Sequence, residues 1–194
     1  NHFQNSRWSS AYPLTIEQVE EKYGKSREQE VLIAGMLERS HLLDLLKDYV
    51  IYQTIGNKRV KIIAKHQQYR AVTKCTKQIK TVEGRRGGVI WHTQGSGKSY
   101  TMQWVAKQAI QYGNLPLVIV TDRRQLDKQI HTTFSEAGFP NPIKANRSTD
   151  LADFVKSPRG KTMMTTIQKF EEISETTDEK IIVLVDEAHR SQYG

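Results

Sequence analysis

An apolar segment, Gly88–Trp91, runs into GSGKS at Gly95–Ser99, and far downstream the chain carries IIVLVDEAHR at Ile181–Arg190. A strand, a glycine-rich turn and a helix starting at Lys98 aim backbone N–H groups at a phosphate chain. Lys98 adds a point charge for the β- and γ-phosphates, and Ser99 adds a hydroxyl for Mg²⁺. The second segment is an apolar strand ending in two carboxylates. It delivers Asp186 and Glu187 to the C-terminal edge of a parallel sheet, where such folds bind ligands. The two segments read as the halves of one ATP–Mg²⁺ site. The DEAH form of the acidic half points to a nucleic-acid motor.

The rest of the composition narrows the partners. At 194 residues the chain is long enough to bury a core, as one domain or one domain with an extension. No apolar run approaches the roughly 20 residues of a membrane span, and the first residues lack the apolar core of a signal peptide. A cytoplasmic protein with no membrane partner is expected. Cys75 is the only cysteine, which excludes an internal disulfide and a cysteine zinc cluster. The six histidines are scattered, so no dedicated metal site is expected. The net charge of +8 favours an anionic partner. Its distribution says more: no acidic residue lies between Asp48 and Glu83, a stretch that holds Lys58, Arg59, Lys61, Lys65, Arg70, Lys74, Lys77 and Lys80. Solvated helix faces usually mix signs, so contact with DNA, or steering of it, is expected from this side.

Capping boxes at Thr15–Gln18 and Ser26–Gln29 predict helices at 15–22 and about 27–39. Leu42, Leu43, Leu45 and Leu46 predict a further helical turn, and the turn at Gly56-Asn57 predicts a β-hairpin. Residues 1–63 are expected to form a small helical and hairpin connector. From residue 64 onward helices and strands alternate: helix 66–82, strand 88–91, helix 98–112 closed by Gly113-Asn114, strand 117–121, helix 123–136, helix 149–156, and strands 162–166 and 181–185. Alternation of this kind implies an α/β fold, with a mostly parallel sheet covered on both faces. Trp91 and Trp104 are expected in its core.

Five blocks in order resemble one family. KHQQYRAV at 65–72 resembles the glutamine motif that precedes the phosphate loop in superfamily-two motors, and WHTQGSGKS at 91–99 resembles the loop itself. TDRRQLDKQ at 121–129, TTIQKF at 165–170 and DEAHRSQYG at 186–194 resemble the later motifs. The chain is similar to the front part of the motor in the R subunit of type I restriction enzymes. One departure stands out: His92 occupies the place where the general phosphate-loop pattern has glycine.

The resemblance implies a RecA-like domain over 64–194, incomplete, preceded by the connector from an absent upstream nuclease domain. It implies ATP and Mg²⁺ as cofactors, and double-stranded DNA with methyltransferase and specificity subunits as partners. Nucleotide would be bound by Gln94, Gly95, Ser96, Gly97, Lys98, Ser99 and Tyr100, with Gln68 as the adenine reader and Gln67 as its alternative. Ser99 and Asp186 would hold the metal, and Glu187 would orient or deprotonate the attacking water. Arg123, Arg124, Thr165, Thr166 and Gln168 lie after or at the ends of strands, where such motors touch the DNA backbone. His189 and Arg190 would couple the nucleotide side to the DNA side.

The chain contains neither a D…E-x-K nuclease signature nor a second motor domain to supply an arginine across the cleft. It is therefore expected to be the connector plus the first motor domain, nearly inactive alone. Two other functions fit the same motifs: a stand-alone superfamily-two helicase or remodeller, and an ATP-gated DNA-binding module.

Overall fold

The computed structural model describes residues 20–21, 24, 33, 35–81, 87–93, 95–121, 134, 143–158 and 160–186. Most of the two N-terminal helices and of helix 123–136 lies outside them. The chain divides into two compact units, Asn1–Ile51 with Lys61–Trp104, and Tyr52–Val60 with Val105–Gly194.

In the first unit, helix α1 (Arg39–Asp48) starts where the Glu38 carboxylate accepts from the backbone N–H groups of Ser40 and His41, at 2.9 and 3.2 Å. An acidic group there satisfies orphan donors and complements the helix dipole. Strands β1 (Val50–Ile55) and β2 (Lys58–Ile63) form the expected hairpin, whose base belongs to the first unit and whose tip, Tyr52–Val60, is assigned to the second. Gly56 turns it at φ +61°, a conformation glycine adopts without a Cβ penalty. Helix α2 (His66–Thr81) follows. Tyr49, at the end of α1, stacks at 4.4 Å between ring centroids on Tyr69 of α2, and its hydroxyl meets Thr73 Oγ1 at 2.6 Å. Both tyrosines are buried along with Leu45 and Val72. Arg70, Lys74 and Lys77 are spaced to share one face of α2 and are exposed.

Helix α3 (Lys98–Gly113) starts in the first unit and ends in the second. Its C-terminus is closed by Asn114 at φ +49°, whose N–H donates to Ile110 O at 2.7 Å. The second unit then builds a four-stranded sheet from β3 (Leu117–Thr121), β4 (Ile143–Lys144), β5 (Thr162–Thr166) and β6 (Ile182–Val185). The strand order is β4-β5-β3-β6, and every pairing is parallel. β3 and β5 are buried at every position, which requires cover on both faces of the sheet. On one face Val118, Val120 and Met163 pack with Leu151, Phe154 and Val155 of helix α4 (Ser148–Lys156). A short helix α5 (Ile167–Glu171) follows β5 directly. The fold is α/β with a parallel sheet, as the alternating pattern implies. Among the described residues no helix is long and apolar enough to cross a membrane.

Helix α4 carries a pH-sensitive end. Asp150 accepts from the backbone N–H groups of Arg147 and Asn146 at 2.9 and 2.8 Å, and these bonds hold its carboxyl below the ordinary carboxylate range. Because the folded value lies below the unfolded one, the stabilisation is present at neutral pH and is lost as pH falls through the folded value. Thermal melts should show Asp150→Ala less stable than the parent at pH 7, with the gap closing below about pH 4. A gap independent of pH would contradict this cap.

Two expectations are corrected. Residues 88–91 form no strand; among the described residues nothing pairs with them, and Val89 is 86% exposed. Trp91 is not in the core either, being 86% exposed, whereas Trp104 is fully buried. The apolar run is local, but a parallel strand exists only through lateral hydrogen bonds to a neighbour. β4 and α5 were not anticipated, being too short to carry a periodic signal.

Candidate nucleotide site

The phosphate loop is shaped by two glycines in the left-handed region, Gly95 at φ +76° and Gly97 at φ +82°. Ser96 N donates to Thr93 O at 3.2 Å, closing the turn. The Gly97 carbonyl then accepts from Tyr100 N at 3.1 Å and Thr101 N at 3.2 Å, which starts α3 at Lys98. The first N–H groups of such a helix have no acceptor within it, and the helix dipole adds partial positive charge there. Lys98 and Ser99 open the helix at this end, so the loop presents a preformed anion cradle with a cation and a hydroxyl on it.

Gln68 ties helix α2 to this loop. Its side chain is 3% exposed. Nε2 donates to Ser96 O at 3.0 Å and to Gly97 O at 3.1 Å, while Oε1 accepts from Lys65 N at 2.8 Å. A Cβ on Gly97 would stand 2.7 Å from Gln68 Nε2, so the loop and this amide are in close contact. Gln67 Oε1, His92 Nδ1 and Ser96 Oγ are buried with no hydrogen-bond partner among the described residues. Buried polar atoms without partners are uncommon, and those of His92, just before the loop, and Ser96, within it, fit a site built for a polar ligand. Burial, with the charge of Lys98 second, pushes the His92 imidazole below its ordinary value. His92 stands in place of the usual glycine. Tyr100 lies against Trp104, with ring centroids 6.2 Å apart.

In the second unit the acidic strand sits beside β3, with Val120 opposite Val185. Asp186 prolongs the pairing, its N–H donating to Val120 O at 2.9 Å, and is 9% exposed. Thr121 and Thr166 are in register at the same C-terminal edge. The unit thus gathers Thr121, Thr166 and Asp186 where parallel sheets bind ligands. Thr165 and Thr166 are buried at 2% and 8%, and the Thr165 hydroxyl lies 3.4 Å from Thr166 O. Gln168, on α5, is exposed. Gln94, Arg123, Arg124, Glu187, His189 and Arg190 lie outside the described residues.

Taken unit by unit, the Ser99 hydroxyl in the first and the Asp186 carboxylate in the second are each a hard oxygen donor, the class Mg²⁺ takes. The link between Gln68 and the loop is what the sequence reading missed. Its only local signal is a glutamine at the third position of a helix, where a side chain can reach back to the N-cap N–H, as Gln68 does to Lys65.

Comparison with known proteins follows the same residues. The SWI2/SNF2 ATPase family matches residues 67–194. The chain is 36% identical over an alignment that covers 85% of its length to the provisionally named type I restriction enzyme MjaIXP endonuclease subunit of Methanocaldococcus jannaschii. It is also 36% identical over 91% of its length to the type I restriction enzyme HindI endonuclease subunit of Haemophilus influenzae. To the SsaAORF53P endonuclease subunit of Staphylococcus saprophyticus it is 28% identical over 81% of its length. It spans only 17%, 19% and 18% of these relatives.

Proposed function

Because the chain belongs to the SWI2/SNF2 ATPase family, we propose that it is the first motor domain of a type I restriction enzyme R subunit, hydrolysing ATP to move duplex DNA before cleavage. The observation that carries the reading is the phosphate loop: two left-handed glycines lead into a helix that opens with Lys98 and Ser99, with buried polar atoms of His92 and Ser96 that lack partners among the described residues. The motor begins near residue 64, after the connector.

ATP bound with Mg²⁺ supplies the phosphoryl group whose hydrolysis drives movement. The chain's own residues have distinct tasks. Gly95, Ser96 and Gly97, with Gln94 and Tyr100 on either side, shape the cradle, and Lys98 balances charge on the terminal phosphates. Ser99 and Asp186 offer oxygens to the metal. Glu187 takes or orients the proton of the attacking water. His189 and Arg190 follow the acidic pair and couple it to the DNA side. Arg123, Arg124, Thr165, Thr166 and Gln168 position the DNA backbone without reading its sequence. The exposed Arg70, Lys74 and Lys77 add a basic face that attracts DNA. The full-length protein works in the cytoplasm, with methyltransferase and specificity subunits that choose the site.

A triplex-displacement assay on the complex of the full-length protein with those subunits tests this reading. A third strand placed downstream of the recognition site should be released only when ATP is hydrolysed. Failure to release it while ATP is turned over would leave an ATPase that does not translocate, and the motor reading would be abandoned.

A further inference from the structure

We infer that Gln68 is a positioning residue for the phosphate-binding amides, acting on the triphosphate whatever base it carries; the inference rests on the nucleotide reading of the loop. The Nε2 of Gln68 donates to Ser96 O at 3.0 Å and to Gly97 O at 3.1 Å. Its Oε1 is anchored by Lys65 N at 2.8 Å, and the side chain is 3% exposed. The amide is therefore fixed at three points.

The consequence lies in peptide geometry. In a trans peptide the C=O of one residue and the N–H of the next share a plane and point in opposite directions. The Ser96 carbonyl is in one plane with the Gly97 N–H, and the Gly97 carbonyl with the Lys98 N–H. By drawing both carbonyls towards α2, Gln68 turns both N–H groups away from α2, to the side left for an anion. The Gly97 carbonyl is also held by Tyr100 N and Thr101 N of α3, so the Ser96–Gly97 peptide, between two glycines of high conformational freedom, is the one whose orientation depends most on Gln68. Gln68 thus holds in place beforehand the donors a phosphate needs, which lowers the ordering cost at binding.

The test compares a nucleotide with a ligand that has no base. Binding of Mg-ATP and of Mg-tripolyphosphate to the full-length protein is measured by calorimetry for the parent and Gln68→Glu. The substituted carboxylate can still accept from Lys65 N–H, but sets negative charge against two carbonyls. Loss of two neutral hydrogen bonds predicts that both ligands weaken by about tenfold or more, and by the same factor. Mildly acid pH should recover part of the loss relative to the parent at the same pH, because a protonated carboxyl regains one donor. A purely packing role would show no such recovery. Gln68→Met, similar in shape and without donors, should lose the same amount with no recovery in acid, and it serves if the Glu variant melts early. Unchanged tripolyphosphate binding, with ATP binding alone reduced, would overturn the inference and return Gln68 to reading adenine. Lys98→Ala is the reference: if it retains both ligands, the phosphate-site reading itself fails, whatever Gln68 does.

Discussion

Lys98→Ala in the full-length protein is expected to lower ATP hydrolysis at least about a hundredfold, the cost of losing one preorganised charge where charge develops in the transition state. The loop that holds Lys98 is fixed by backbone features the substitution leaves alone. Gly95 and Gly97 keep their positive φ, and the Gly97 carbonyl still accepts from Tyr100 and Thr101. Alanine is also the best helix former for the first position of α3. The variant should therefore melt like the parent while failing to turn over ATP, a combination that separates chemistry from folding. Near-normal turnover in a folded Lys98→Ala protein would contradict the assignment of the loop.

The largest stability effect is expected at Phe154. This ring is 2% exposed and packs among Val118, Val120, Ala145, Leu151 and Met163, where helix α4 covers one face of the sheet. Leu151, Phe154 and Val155 are spaced at three and four residues, so they share one helical face. Truncation to alanine removes the ring's burial and leaves a cavity that the rigid sheet cannot close. The expected loss is about 3–5 kcal/mol, read as a shift in a denaturant or thermal transition. That is a large part of the stability of any domain. A loss below about 1 kcal/mol would mean that the site collapses and that α4 is not the cover the structure describes.

Fold and site were legible from the sequence to different depths. The hairpin announced itself through Gly56-Asn57 between two β-prone runs, because a tight turn is a local property. Helices α2, α3 and α4 were readable from periodicity and their ends, and β3, β5 and β6 from apolar runs flanked by turns. The parallel arrangement followed from alternation alone. What failed was non-local. Val89, Ile90 and Trp91 have the composition of a core strand, yet whether they pair depends on a neighbour elsewhere in the chain, and the run itself cannot specify one. Trp91 and Trp104 are the same residue type in similar company; one is 86% exposed and the other fully buried. At the site, the loop was visible as GSGKS, but the hydrogen bonds from Gln68 cross to residues well along the chain. A helix-position argument explains its bond to Lys65; nothing in the sequence points to Ser96 and Gly97.

A DNA-translocating motor, as proposed here, hydrolyses ATP in response to DNA. The most direct measurement is phosphate release by the full-length protein, with its partner subunits, as duplex DNA containing their recognition site is added. DNA should raise the rate severalfold or more, and Lys98→Ala should remove the stimulated rate entirely. Hydrolysis indifferent to duplex DNA, or persisting without Lys98, would contradict it.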